Sequence, residues 1–281
     1  MSRIAVVTGG NKGIGFAIVK GLSKQFDGIV YLTARNTELG NAAVEELKNT
    51  GHHVKFHQLD VTDDTSVEIF KKYIIDTHGG IDILVNNAAI AFKTTATEPF
   101  EVQAAETIRV NYFGLLRVSK ALFPLLKPHA RVVQISSSAG HLVQIPGTDL
   151  KAQFSDPGLT EAQLTQLMNQ FVEAAKTGSH KAAGWPNSAY MASKVGVSAL
   201  TRIQQRELDA DPREDIAVNS VHPGYVDTDM TSHKGPLTPD RGAEAPIYLA
   251  LLPKDTQIKG KYVWHDKTLV DWVKDELPAP Y

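Results

Sequence analysis

The chain has 281 residues, 42% of them apolar, and no cysteine. That length and composition suit one large α/β unit with a sizeable core, and the missing cysteine excludes disulfide and thiolate chemistry. Lys plus Arg is 29 against 31 for Asp plus Glu, a formal net charge of −2, which argues against a general nucleic-acid binder or a protein that adheres to acidic membranes.

Short apolar runs alternate with helical patterns along the chain. The N-terminus enters the run Ile4-Ala5-Val6-Val7 directly, without the basic region and cleavage site of a secretion signal. No apolar stretch approaches the roughly 18–20 residues of a membrane span, so a cytoplasmic protein without a membrane partner is expected. Residues 4–7, 29–32, 54–59, 81–85, 132–135 and 216–221 read as strands. Residues 15–25, 38–49, 66–78, 101–126 and 188–208 read as helices, with Asp63 before an acidic first turn and Pro99 ahead of the long fourth helix. A late helix over 239–252 and a final strand at Tyr262-Val263-Trp264 complete the pattern. Strand–helix alternation of this kind implies right-handed βαβ units and a doubly wound parallel sheet.

One stretch breaks the rhythm. Residues 144–186 show no strand pattern; they contain the turn signal Asp156-Pro157-Gly158 and the capping-box pattern Thr160-Glu161-Ala162-Gln163. Leu164, Leu167, Met168, Phe171, Val172 and Ala175 then share one helical face. The chain therefore reads as a single α/β domain over 1–281 with a helical insertion at about 144–186, the stripe packed against the main body.

The chemistry-bearing residues follow the strands. After the first comes Thr8-Gly9-Gly10-Asn11-Lys12-Gly13-Ile14-Gly15, where glycines admit a pyrophosphate and the helix start offers free N–H groups. Read alone, this loop is also compatible with a simple tight turn. The second strand ends in Thr33-Ala34-Arg35-Asn36, with no acid to hold a ribose 2′-hydroxyl. Arg35 and Lys12 are cations suited to a 2′-phosphate, which favours NADP(H), although either alone is an ordinary surface charge. Asp60 and Val61 end the third strand, placed for an adenine amino group or for a plain turn. Asn86-Asn87-Ala88-Ala89 ends the fourth, and Ser136-Ser137-Ser138 the fifth, where a hydroxyl can hold a substrate carbonyl oxygen. Tyr190 and Lys194 stand four apart on a helix face; of eight tyrosines, only Tyr190 has Lys at that spacing. An ammonium so placed favours the phenolate and lowers the Tyr pKa, giving a proton donor or acceptor near neutral pH. The histidines are scattered with no metal-ligand spacing, so no metal is expected.

Together these residues resemble the short-chain dehydrogenase/reductase family over nearly the whole chain, through Thr8-Gly9 to Gly15, Asn86-Asn87-Ala88, Asn111, Ser137, Tyr190-x-x-x-Lys194 and Pro223-Gly224. The chain is most similar to the monomeric NADPH-dependent carbonyl reductases within it, in Gly9 to Gly15, Asn86 to Lys93, Gly184-Trp185-Pro186, Tyr248 to Pro253 and the insertion before Tyr190. The resemblance implies reduction of aldehydes and ketones with NADPH. Tyr190 would give the proton, Lys194 would tune it and bind the nicotinamide ribose, and Ser137 would polarise the carbonyl. Asn111 would hold a water in a proton relay, and Val226 and Thr228, after Pro223-Gly224, would meet the nicotinamide carboxamide. Gly9, Asn11, Lys12, Gly13, Ile14, Gly15, Arg35, Asp60, Val61 and Asn87 complete the expected cofactor contacts. Ala89 departs from the usual Gly, and residues 231–238 are expected to form a mobile lid. The alternatives are an NADP-dependent alcohol or hydroxysteroid dehydrogenase working in oxidation, and a dinucleotide-binding sensor without turnover. The expected partner is a small carbonyl compound, and the expected state a monomer.

Overall fold

The computed structural model describes residues 2–274 and 276–278. Eight strands form one sheet: β1 (Ile4–Val7), β2 (Ile29–Ala34), β3 (Lys55–Gln58), β4 (Ile81–Asn86), β5 (Leu126–Ile135), β6 (Ala217–Val221), β7 (Tyr262–Val263) and β8 (Leu269–Val270). Their order is β3-β2-β1-β4-β5-β6-β7-β8, parallel as far as β7, with β8 antiparallel at the edge. The order reverses between β1 and β4, which is where doubly wound sheets form their ligand crevice, beyond the strand ends.

The core follows from period-two alternation in strands covered on both faces. In β1, Ala5 and Val7 face α1 (Gly13–Gln25), α2 (Thr37–Asn49) and α9 (Pro239–Ala250), packing with Ile18, Leu22, Leu47 and Ala243. Ile4 and Val6 face the opposite way, toward Phe70 and Ile74 of α3 (Asp64–His78) and Val118 and Leu122 of α5 (Leu115–Leu122). The expected cap on α3 is formed: the Asp63 side chain accepts from Thr65 N at 2.9 Å.

The single helix expected over 101–126 is instead broken. It consists of α4 (Phe100–Ile108), a π-helical turn at Arg109–Gly114, α5, and a 3-10 turn at Phe123–Leu125. Pro124 lacks the N–H needed to continue α5, and Leu126 already begins β5. The first half of β5 escaped its apolar pattern because Lys127, Pro128 and His129 interrupt it.

Between β5 and α8 (Ala189–Asp209) lie two 3-10 turns, α6 (Thr148–Ser155) and α7 (Glu161–Lys176). The capping box forms, Gln163 N donating to Thr160 Oγ1 at 3.2 Å and Thr160 N to Gln163 Oε1 at 2.9 Å. Leu164, Leu167, Met168, Phe171 and Ala175 are buried with Ala104 and Ile108 of α4 and Ala192, Val195 and Ala199 of α8. Burial of each large side chain contributes about 1.5–3 kcal/mol. Gly196 permits the close approach, since a Cβ there would lie 2.6 Å from Met168 Sδ. No helix among the described residues is long and apolar enough to cross a membrane.

Candidate active site

The crevice is built from the loops that leave β1, β2, β4, β5 and β6. After β1 the chain turns through Gly9 (φ +62°) and Gly13 (φ +56°), left-handed conformations that suit glycine. The turn is tied to the β4 exit from two directions. Thr8 Oγ1 accepts from Asn87 N and Ala88 N, both at 3.0 Å. Asn87 Nδ2 donates to Thr8 O at 2.9 Å and Gly9 O at 3.0 Å. Asn87 therefore locks the glycine loop, and a side chain on Gly15 would strike both its amide and the Gly9 carbonyl. Ala89 needs no left-handed backbone, so its methyl brings no conformational strain.

α1 starts without a side-chain cap or an acid in its first turn, leaving helix-end N–H groups open to an anion. Those N–H groups, beside the left-handed Gly13 and the tightly packed Gly15, fit a dinucleotide pyrophosphate. Arg35 is exposed just past β2 and forms no ion pair among the described residues; Gln58 Nε2 donates to its carbonyl at 3.2 Å. Lys12 is not free: its ammonium lies 2.8 Å from Asp229 Oδ2, both side chains well exposed. Asp60 shapes a turn through one carboxylate oxygen, Oδ1 accepting from Thr62 N at 2.8 Å and Thr62 Oγ1 at 2.7 Å. The Val61 carbonyl accepts from Arg117 Nη1 at 3.1 Å.

Past β5, the neighbouring serines diverge. Ser136 is buried and pairs with Ser198 Oγ at 2.7 Å. The Ser137 hydroxyl instead faces the Tyr190 hydroxyl, near enough to pull its pKa down, and accepts from Ala139 N at 3.2 Å. Lys194 is buried one turn along α8, donating to Ile135 O at 2.6 Å, with Nζ 5.7 Å from the Tyr190 ring centroid.

The lowering of the Tyr190 pKa expected from Lys194 does not dominate in this arrangement. Burial raises the Tyr190 phenol, and the opposing pull is the Ser137 hydroxyl. Lys194 is itself brought down to about 8 by burial. The reason is geometric: the ammonium is directed at a strand carbonyl, and burial penalises the charged form of each group.

Asn111, in the π turn, has its side chain bonded on both sides within the protein. Its Oδ1 accepts from Ile90 N at 2.8 Å, and its Nδ2 donates to Ile90 O at 2.9 Å and Ser193 Oγ at 3.0 Å. The side chain thus pins the β4 exit loop to α8, the helix that carries Tyr190.

Beyond β6 the chain runs through Pro223 and Gly224 (φ +92°) to Val226, which bridges Leu237. Thr228 sits over the start of α1, its Cγ2 3.4 Å from where a Gly13 Cβ would be. The segment expected as a lid, 231–238, follows directly on a 3-10 turn at Asp229–Thr231 and begins with the left-handed residues Ser232 and His233. His233 bridges Asp227 Oδ1 at 2.6 Å and Asp229 Oδ1 at 3.3 Å.

Sequence reasoning missed Asp229, His222 and Tyr262. His222 Nδ1 accepts from Ser138 N at 2.9 Å, and burial pushes His222 down to about 3, so it stays neutral. Its one sequence signal is its place at the end of β6, just before Pro223-Gly224; Asp229 and Tyr262 carry none.

A family model described as short chain dehydrogenase matches residues 3–148 and 174–237, and the interval between the two matches takes in most of α6 and of α7. Carbonyl reductase (NADPH) 1 of Rattus norvegicus is 44% identical over 272 residues, covering 96% of this chain and 98% of the relative. Carbonyl reductase (NADPH) 3 of Mus musculus is 45% identical over 274 residues, covering 96% and 99%. Among solved structures, salutaridine reductase from Papaver somniferum is 34% identical with a TM-score of 0.85, covering 92% of this chain and 99% of that one.

Proposed function

The chain belongs to the short-chain dehydrogenase family, and from that premise we propose that it reduces aldehydes and ketones to alcohols with NADPH. The observation that carries the reading is the Ser137–Tyr190 hydroxyl pair at the carboxyl end of β5, with Lys194 buried beside it. NADPH, when bound, supplies a hydride to the carbonyl carbon. Tyr190 gives its proton to the carbonyl oxygen, and the Ser137 hydroxyl holds that oxygen by a hydrogen bond, so the C=O group becomes CH–OH. The burial that raises Tyr190 keeps the phenol protonated at neutral pH, which is the state a reduction needs. The Lys194 charge favours proton release from Tyr190 as the bond forms, and Asn111 fixes the helix that holds both.

The cofactor assignment rests on the same geometry. The backbones of Gly9, Asn11, Gly13, Ile14 and Gly15 would hold the pyrophosphate, Arg35 and Lys12 the 2′-phosphate, and Asp60 and Val61 the adenine. Asn87 holds the glycine loop in shape. Lys194 would bind the nicotinamide ribose, and Pro223, Gly224, Val226 and Thr228 would line the nicotinamide end. A panel of aromatic, aliphatic and alicyclic carbonyls, followed by NADPH and NADH absorbance, tests the function. A folded protein that oxidises NADPH with none of them would sink it.

The working unit proposed is one domain acting as a cytoplasmic monomer. Support comes from α7, whose apolar stripe is buried against α4 and α8 of the same chain and so is not left for a partner. Light scattering after size exclusion should give one 30.6 kDa chain; twice that mass would make the α6–α7 segment an interface. Cell fractionation tests the location, and enrichment in a membrane or organelle fraction would refute it.

A further inference from the structure

The backbone around Ser137 is held from a part of the chain far away in sequence. Tyr262 Oη donates to Ser137 O at 2.6 Å, across 125 residues. Trp272 Nε1 donates to Gly140 O at 2.7 Å, Gln144 Nε2 to Ser138 O at 3.3 Å, and Ser138 N to His222 Nδ1 at 2.9 Å. The loop from 137 to 140 carries few bonds of its own beyond a single 3-10 turn, so these four side chains define its position. The antiparallel β7–β8 edge brings Tyr262 and Trp272 to it.

Tyr262 acts on the residue that matters most. It is 2% exposed, packed against His141 and Trp264 with ring centroids 5.6 and 6.4 Å away. We propose that Tyr262 is a positioning residue for carbonyl reduction: its hydroxyl, bonded to the Ser137 carbonyl, sets where the Ser137 Oγ meets Tyr190 and the substrate oxygen. The assignment rests on the reductase reading above. Burial, with a smaller contribution from Tyr190, raises the Tyr262 phenol well above its ordinary value, so it remains a donor at every pH at which the protein works. Without that donor the half-buried Ser137 carbonyl keeps only the 3-10 bond from Gly140 N at 2.8 Å, and the loop that carries Oγ loses its tie to β7 and shifts. Displacement of about 1 Å at a reacting group costs up to a hundredfold in rate. Three other bonds still hold the loop, so the expected loss is smaller.

The test is a double-mutant cycle of Tyr262→Phe and Ser137→Ala, with thermal melting to verify folding. Phe keeps the ring and its packing and removes only the hydroxyl. In the wild-type background, Tyr262→Phe should lower kcat by about tenfold and leave the NADPH Kd, read by fluorescence, within about twofold. In the Ser137→Ala background, where the Oγ is gone but the carbonyl bond to Tyr262 remains, the same substitution should change kcat by less than about twofold. An unchanged kcat in the first background, an equal loss in both, or a parallel loss of NADPH affinity would overturn the assignment. Wild-type protein with no carbonyl-dependent turnover would instead overturn the reductase reading, and this one with it.

Discussion

Asn87→Ala removes the amide that ties the glycine loop to β4. Two hydrogen bonds disappear, those to Thr8 O at 2.9 Å and Gly9 O at 3.0 Å, while the backbone bonds of Asn87 and Ala88 to Thr8 Oγ1 remain. A typical intramolecular hydrogen bond contributes about 0.5–1.5 kcal/mol net, so the pair accounts for about 1–3 kcal/mol. The site is partly buried, and water can reach the freed carbonyls, which places the loss at about 1–2 kcal/mol. The loop is then ordered by the cofactor instead of in advance, so NADPH should bind about five- to thirtyfold more weakly. Fluorescence or calorimetric titration measures this directly, and kcat at saturating NADPH should change less. Asn87→Asp sharpens the test, since a carboxylate would face two carbonyl oxygens with no donor between them. It should bind NADPH more weakly than Asn87→Ala. An NADPH Kd unchanged in Asn87→Ala, or a better affinity in Asn87→Asp than in Asn87→Ala, would refute the locking argument.

Two further outcomes are expected. Arg35→Asp should lower kcat/KM for NADPH far more than for NADH, because it sets a like charge against the 2′-phosphate; an unchanged NADPH:NADH ratio would make Arg35 a plain surface charge. Lys194, held at about 8 by burial, is charged below that pH and neutral above it, so its help to Tyr190 fades as pH rises. Reductive kcat should therefore fall through about pH 8, and Lys194→Met should be slow with that limb abolished; a wild-type profile flat well past this value would show that the charge does not matter.

Most of the architecture was legible because it is written locally. Strand β1, the glycine turn, the Asp63 and Thr160 caps and the apolar stripe of α7 each follow from residues within one or two turns of each other. The broken helix was not legible: 101–126 keeps an apolar period, and only Pro124 marks its end, while the π turn around Asn111 leaves that period intact. The two-residue strand β8 is too short to carry any alternation. In the crevice, Tyr190, Ser137 and Lys194 do converge. Their electrostatics did not read, because helical spacing gives proximity without saying where an ammonium is aimed. Lys194 is aimed at Ile135 O, and burial outweighs its charge at Tyr190. Lys12 with Asp229, 217 residues apart, and Tyr262 with Ser137 are long-range pairs that no spacing rule reaches.

The central claim is that this chain moves a hydride from NADPH to a carbonyl carbon while Tyr190 protonates the oxygen. The most direct measurement uses NADPH deuterated on the transferable position of the nicotinamide, with product alcohol from wild-type and Tyr190→Phe protein analysed by mass spectrometry. The wild-type product should carry one deuterium on the alcohol carbon. Tyr190→Phe should still bind NADPH but form product at least about a hundredfold more slowly, the minimum expected for loss of a general acid. Product alcohol without deuterium at that carbon, or a Tyr190→Phe rate near that of the wild type, would contradict the claim.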